Sequence, residues 1–161
     1  RTRWCTRVLK IEPFEAFVGE DNAFSYIGIR ADEDREGYVG KKPPKLSERP
    51  NITPVYPFKD DGLTLSHINE LLESSGIGLP DYYRWRSRSG CYFCFYQQIG
   101  EWQRLHVEHP DLFEAAKEYE KTTDGKNYTW SEGRTLNDIL ELPIQPLTPP
   151  DEGDGCAICH L

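Results

Sequence analysis

Two Cys-x-x-Cys pairs constrain the folding of this chain more than any other feature of its sequence. Cys91 and Cys94 form the first pair, Cys156 and Cys159 form the second, and a fifth cysteine, Cys5, stands near the start of the chain. A tight turn lets both thiolates of such a pair converge on one metal ion, and the glycine that precedes each pair permits that turn. Disulfides and buried free thiols are the alternatives, but the residues favour a metal centre.

The kind of metal stays open at this level. Four thiolates from the two pairs would make a closed tetrahedral zinc site. Alternatively, Cys5, Cys91, Cys94 and one of the tail cysteines would hold an iron–sulfur cluster. Either centre would tie down residues 143–155, whose prolines and acidic residues are otherwise typical of an extended tail.

The charge of the chain is unevenly distributed. The net charge is −8, yet residues 1–90 carry 14 basic and 14 acidic side chains, whereas residues 91–161 carry 5 and 13. The overall charge argues against a protein that binds polyanions non-specifically. The arginines of the first part remain candidate ligands for phosphate or sulfate, because guanidinium presents a fork of donors. A solvated surface is the alternative for any one of them.

Aromatic and arginine residues alternate over 82–88, in the order Tyr-Tyr-Arg-Trp-Arg-Ser-Arg. This pattern suits base stacking and phosphate contact with a nucleic acid or a nucleotide. Aromatic packing beside the cysteines is an equally good interpretation.

Periodicity predicts helices mixed with strands and therefore an α/β fold. No apolar run approaches the ~20 residues of a membrane helix. With 161 residues the chain is long enough for one domain and hardly two. We predict helices over 11–18, from Thr64 or Ser66 to Ser74, over 100–109, from Pro110 onward and over 135–142; strands over 24–29 and, as an edge strand, 52–58; and loops over 31–49 and 122–132.

Several motifs, taken in order, resemble the phosphoadenosine phosphosulfate (PAPS) reductase family. The segment 4–13 is similar to its Cys-x-Lys-(Ile/Val)-x-Pro segment, 27–33 to its Gly-(Leu/Ile)-Arg-x-x-(Glu/Gln) strand and loop, and 56–58 to its Pro-Leu entry into a helix. Residues 89–94 match its Gly-Cys-x-x-Cys. Trp102, Leu105, His109-Pro110 and Leu112–Glu114 resemble the helices that follow in the subgroup related to the sulfur-transfer ATPase of DNA phosphorothioation. The resemblance covers residues 1–121.

The resemblance implies a partial Rossmann-like adenine nucleotide α-hydrolase fold over 1–90, followed by a helical, cysteine-clamped metal-binding region over 91–161. It further implies that Cys5, Cys91 and Cys94 ligate a 4Fe–4S cluster, with Cys156 or Cys159 as the fourth ligand. The remaining alternative is Zn²⁺ on the two pairs.

The resemblance also implies a nucleotide site, with ATP or a sulfonucleotide and Mg²⁺ as its ligands. Arg30 is then the best candidate to bind the anion, followed by Arg3 and Arg7. The acidic run over 32–34 is a weaker candidate for Mg²⁺. The family's Ser-Gly-Gly-x-Asp-Ser phosphate loop is absent from this chain. Because the chain begins at Arg1 and lacks methionine, we expect a C-terminal part whose phosphate loop lies on an upstream segment or a second chain.

Two functions follow as hypotheses. In the first, the chain is part of a PAPS-reductase-like ATP-pyrophosphatase or sulfur transferase. We expect this enzyme to be cytoplasmic and not to bind membranes. Its expected partners are a nucleic acid, as the sulfur acceptor, and a sulfur-donor protein. The second is a zinc-stabilised interaction or nucleic-acid-binding module without catalysis of its own.

Overall fold

The computed structural model describes Cys5 and residues 7–33, 47–87, 90–94, 96–123 and 126–148. These residues form two compact units that divide between Leu79 and Pro80. The division lies before the alternating arginine and aromatic stretch, whereas the predicted boundary lies after it. No helix in these described ranges is both long and apolar enough to cross a membrane.

The first unit contains a parallel pair of strands, β1 (Ala23–Tyr26) and β2 (Ile52–Val55), in a register that places Ala23 opposite Ile52. Both strands agree with the predicted extended segments, although each is shorter than predicted. Mixed helices and a parallel pair of strands confirm the α/β class at this coarse level.

Three helices accompany the strands. A π-helical turn (Arg7–Ile11) leads into α1 (Glu12–Val18), α2 (Pro57–Asp60) follows β2, and α3 (Leu65–Ser74) ends the unit. Thr64 begins α3, as one of the two predicted caps, and its backbone N–H donates to His67 Nδ1 over 3.1 Å. The amide of Asn51 donates to the carbonyls of Gly19 and Asp21, which joins the end of α1 to the start of β2.

The second unit is built around a helical core. A 3₁₀ turn (Asp81–Arg84) precedes α4 (Ile99–Glu108) and α5 (Pro110–Lys117), and α6 (Leu136–Leu140) packs against α4. Pro110 separates α4 from α5, as predicted, because proline has no N–H and fixes the backbone of a first helical turn. Six side chains form the core and are fully buried: Trp102, Leu105, Phe113, Ala116, Leu136 and Ile139.

The predicted loop over 122–132 is wrong, because β3 (Lys121–Thr123) and β4 (Lys126–Tyr128) pair there as an antiparallel hairpin. Its residues lack the alternation of apolar and polar side chains that signals a strand. The segments beside the hairpin supply the support: the Glu120 carboxylate accepts from the N–H groups of Trp130 and Leu136 over 3.3 and 2.9 Å. Long-range anchoring therefore stabilises a hairpin that the local sequence does not announce.

Replacing Leu105 with Ala should lower the free energy of unfolding by about 2–5 kcal/mol, since a fully buried leucine leaves a cavity. Val107 lies on the same helix but is 73% exposed, so Val107→Ala should change stability by no more than ~0.5 kcal/mol. Denaturant unfolding followed by tryptophan fluorescence measures both. Equal losses in the two variants would contradict the packing of α4 described above.

Candidate metal centre

The first Cys-x-x-Cys pair forms one hydrogen-bonded turn in the second unit. The N–H of Cys94 donates to the Cys91 carbonyl over 3.2 Å, and the N–H of Gln97 donates to the Cys94 carbonyl over 3.0 Å. The Gln97 side chain also donates to the Tyr92 carbonyl over 2.8 Å, and this hydrogen bond stabilises the turn. Cys91 and Cys94 are half-buried and free of disulfides, so a four-residue turn presents two reduced thiols.

A buried arginine holds the segment before this turn. Arg86 is 6% exposed, its Nη1 donates to the Gly90 carbonyl over 2.9 Å, and its guanidinium lies 5.2 Å from the centre of the Trp85 ring. A Cβ at Gly90 would lie 3.1 Å from Arg86 Nη2, so glycine suits this close approach. Positive charge therefore lies directly beside the residue that precedes Cys91, where metal-bound thiolates would carry negative charge.

A cavity of about 330 Å³ opens beside the turn. Aromatic and apolar side chains dominate its walls. It is lined by Tyr82, Trp85, Arg86, Gly90, Tyr92, Leu105, His109 and Leu112.

The alternating arginine and aromatic stretch thus divides into a buried part and an exposed part. Trp85 is half-buried and packs edge-on against His109 at 5.4 Å, and Arg86 is buried. Tyr83 and Arg84 are exposed, and Arg84 pairs with Asp81 at 3.1 Å. Aromatic packing beside the cysteines describes Trp85 and Arg86 better than nucleic-acid contact does.

A buried carboxylate connects this segment to the start of α4. Glu101 is fully buried, and its Oε1 accepts from both the N–H and the hydroxyl of Ser87, over 3.0 and 2.8 Å. Its Oε2 accepts from the N–H of Gln98 over 3.0 Å, which caps the helix. Glu101 is a site residue that the sequence did not predict, although a glutamate three positions after the helix cap Gln98 is the spacing of a capping box.

Residues 143–148, here called the strap, run along α4 in the direction opposite to the helix. Gln103 donates to the Pro143 carbonyl over 3.2 Å and accepts from the N–H of Gln145 over 2.8 Å. At the other end, Gln98 donates to the Thr148 carbonyl over 2.8 Å and accepts from its N–H over 2.9 Å. The side-chain amides of Gln98 and Gln103 thus supply the hydrogen bonds that a neighbouring strand would otherwise provide to the backbone of the strap, which forms neither helix nor strand.

The strap approaches α4 most closely at Gly100. A Cβ there would lie 2.5 Å from the Gln145 carbonyl oxygen and 3.2 Å from that of Pro146. Arg104 bridges the Gly100 and Gln145 carbonyls with Nη1, at 2.9 and 3.0 Å. These contacts bring the end of the strap, at Thr148, to Gln98 at the start of α4, which follows the segment that carries Cys94.

The predicted anion ligands of the first unit are engaged with carboxylates. Arg30 is 22% exposed; its Nε donates to Asp32 and its Nη1 to Glu33, both over 2.9 Å, while its Nη2 bonds no residue of the described ranges. Arg7 is exposed and pairs with Glu12 at 3.0 Å, and Arg3 lies outside the described residues.

Asp32 also caps α3. Its Oδ2 accepts from the N–H of Leu65 over 3.1 Å, at the first turn of the helix. Burial by itself would raise the pKa of Asp32. The hydrogen bonds from Leu65 and Arg30, with the attraction of the guanidinium, outweigh burial and hold the pKa below its ordinary value of 3.8.

The predicted metal ligands are distributed over the chain as follows. Cys5 is half-buried and belongs to the first unit, whereas Cys91 and Cys94 belong to the second. Cys156 and Cys159 lie outside the described residues. Within the part of the chain that the structure describes, no three cysteine, histidine or acidic side chains come together as a metal site.

Comparison with known proteins gives one distant similarity. The chain is 25% identical over 118 residues to the uncharacterized protein MJ0066 of Methanocaldococcus jannaschii, a match that covers 70% of this chain and 24% of that protein. This chain therefore spans about a quarter of the length of its relative. It matches no protein-family profile, and no solved structure matches it significantly.

Replacing Asp32 with Asn should destabilise the protein in a pH-dependent way. Because the folded-state pKa lies below 3.8, the carboxylate stabilises the fold above that pH, and the contribution is lost as the pH falls through the lowered pKa. The variant should thus be less stable than the natural protein at about pH 6, and the difference should shrink below pH 3.8. Asp61→Asn, at an exposed position, is the control. A difference that stays constant across this range would contradict the prediction.

Replacing Gly100 with Ala should release the strap, because the added Cβ overlaps the Gln145 carbonyl. We expect the amides of Gln145 and Thr148 to exchange at least about tenfold faster with solvent deuterium. Gly28→Ala, whose Cβ would meet Phe58 at an ordinary 3.5 Å, is the control. Unchanged exchange at both amides in a folded variant would show that the strap does not depend on this contact.

Proposed function

We propose that this chain is the C-terminal part of a PAPS-reductase-like ATP-pyrophosphatase or sulfur-transfer enzyme that carries a cysteine-ligated metal centre. The observation that carries the proposal is the Cys91–Cys94 turn together with the strap that ends beside it. The turn supplies two thiols of soft character, which select zinc or iron–sulfur centres over harder cations.

The strap explains how the second pair of cysteines would join the first. Thr148 is held at Gln98, four positions after Cys94. Eight residue steps separate Thr148 from Cys156, and an extended chain covers at most ~3.3–3.6 Å per step, or about 26–29 Å in all. The tail cysteines are thus tethered within reach of the turn, which raises their effective concentration there.

The ligand set we favour is Cys5, Cys91, Cys94 and either Cys156 or Cys159 around a 4Fe–4S cluster. When bound, such a cluster supplies one-electron redox chemistry or a rigid clamp. Arg86, beside the turn, contributes positive charge that suits a centre of anionic thiolates. Zn²⁺ on the two Cys-x-x-Cys pairs is the alternative ligand set.

Arg30 is the side chain we assign to nucleotide or sulfate binding. It follows β1 at the carboxyl end of that strand, which is where open α/β sheets bind their ligands. Its Nη2 bonds none of the described residues and would donate to ATP or a sulfonucleotide with Mg²⁺. The parallel pair of strands agrees with a partial Rossmann-like adenine nucleotide α-hydrolase fold.

The other parts of the enzyme would come from elsewhere. The phosphate loop would lie on an upstream segment or a second chain. A sulfur-donor protein and a nucleic-acid acceptor are the proposed partners, in the cytoplasm. The alternative function, a zinc-stabilised interaction module, has Tyr83 and Arg84 as exposed contact residues.

Metal analysis of protein purified without oxygen tests the proposal. We expect iron and sulfide in equal amounts, with visible absorption that dithionite bleaches. Cys5→Ser and Cys91→Ser should each remove the iron. Ala157→Ser, within the tail pair but not a ligand, should retain it.

The same variants separate the two metals. Under the zinc alternative the protein is colourless, binds one zinc per chain, keeps it in Cys5→Ser and loses it when Cys156 and Cys159 are both replaced by Ser. Stoichiometric amounts of neither metal would overturn the proposal.

A further inference from the structure

Strand β1 has two edges, and its pairing with β2 uses only one of them. Towards β2, the N–H of Ala23 donates to the Asn51 carbonyl over 3.0 Å, and that of Ile27 donates to the Val55 carbonyl over 2.8 Å. Backbone groups of successive residues in a strand point to opposite edges. The N–H and C=O groups of Phe24 and Tyr26 therefore point away from β2, and within the described ranges no backbone group pairs with them.

The outer edge of β2 cannot accept a further strand in the same way. By the same alternation, Ile52 and Pro54 direct their backbone towards that outer edge. Pro54 has no N–H to donate, and the N–H of Ile52 already donates to the Arg49 carbonyl over 3.2 Å. Proline in a strand is confined to edges. The sheet thus ends at β2, and β1 is the strand at which it can grow.

The two faces of the pair differ in burial. On one face, Ser25 and Ile52 are buried. On the other, Phe24 and Tyr26 are 72% and 73% exposed and lie opposite Thr53 and Val55 in the register. The exposed face carries aromatic and β-branched side chains and no charge, a composition typical of a covered face, and parallel sheets are covered on both sides.

The first unit buries little apolar surface of its own. Among its described apolar side chains only Ile29 and Ile52 are buried, whereas Phe17 and Ile77 are exposed by 90% and 76%. A pair of strands with so small a core does not provide a stable sheet by itself.

We propose that β1 is an interior strand of a larger parallel sheet. A strand–helix segment that precedes this chain in the same polypeptide would pair with the Phe24–Tyr26 edge, and its helix would cover the Phe24 and Tyr26 side chains. The length of the relative leaves room for such a segment, because about three quarters of that protein lies outside the match. The inference deepens the proposed function and rests on it for the identity of the segment, since the phosphate loop is expected there.

A second copy of this chain is a poorer occupant. Symmetric pairing of β1 with its own copy about a two-fold axis would be antiparallel. Such a dimer would complete the hydrogen bonds of the edge but bring no helix to cover the aromatic face. Parallel pairing with a strand–helix segment satisfies both requirements.

Amide hydrogen exchange tests the inference. It is measured on the 161-residue chain and on the longer polypeptide in which its natural N-terminal sequence precedes Arg1. We expect the amides of Phe24 and Tyr26 to exchange at least about tenfold more slowly in the longer polypeptide. The amides of Ala23 and Ile27, which already bond β2, report that the strand pair is intact in both.

Charged substitutions provide the matched control. Phe24→Asp should restore fast exchange at Tyr26 in the longer polypeptide and leave the melting temperature of the 161-residue chain unchanged, because the side chain is exposed there. Val107→Asp, at a similarly exposed position of the second unit, should affect neither amide.

Equal exchange at Phe24 and Tyr26 in the two polypeptides would overturn the inference. Protection that rises with the concentration of the 161-residue chain, together with a dimeric mass, would overturn it in favour of a second copy. Metal content is measured on the same samples to distinguish this inference from the proposed metal centre. Fast exchange at Phe24 and Tyr26 in a longer polypeptide that retains iron would contradict only the strand pairing. Slow exchange in a longer polypeptide that contains no metal would contradict only the metal centre.

Discussion

Helix α4 buries polar side chains as well as apolar ones, and the second unit depends on both. Trp102 and Leu105 join the core from one side of the helix, while Glu101 and Gln103 are buried by the segments that they bind. A buried carboxylate or amide is costly unless its hydrogen bonds are satisfied. Apart from the helix-capping bond from the N–H of Gln98 to Glu101, these bonds are made to Ser87 or to backbone groups of residues 139–145. The interactions that satisfy the buried side chains therefore also fix the paths of the chain around the helix.

The candidate metal centre follows from this arrangement. The Glu101 carboxylate holds Ser87, and the neighbouring Arg86 holds Gly90, the residue before Cys91. The amides of Gln98 and Gln103 hold the strap at residues 145 and 148. Both sets of bonds end near the start of α4.

The first unit has a different character. Polar interactions make up many of its contacts, such as the ion pair of Arg30 with Asp32 and the hydrogen bonds from the Asn51 side chain to the end of α1. Hydrogen bonds of this kind define geometry but contribute little net stability when water competes for them. Burial of apolar surface is the larger contribution in a folded domain, and in this unit the apolar face of the strand pair remains open. That contrast is the physical basis for expecting a covering segment.

Much of the local structure can be predicted from the sequence. The apolar spacing of 65–72 and the break at Pro110 identify helices, and Pro54 identifies β2 as an edge strand, because each signal depends on neighbours a few residues apart. The cysteine spacing likewise identifies a candidate metal turn at 91–94. The roles of Glu101, Gln103 and Gly100, the hairpin at 121–128 and the free edge of β1 were decided only by the tertiary structure. Their partners lie far away along the chain, and no local pattern specifies which distant backbone group will come within hydrogen-bonding distance once the helices pack.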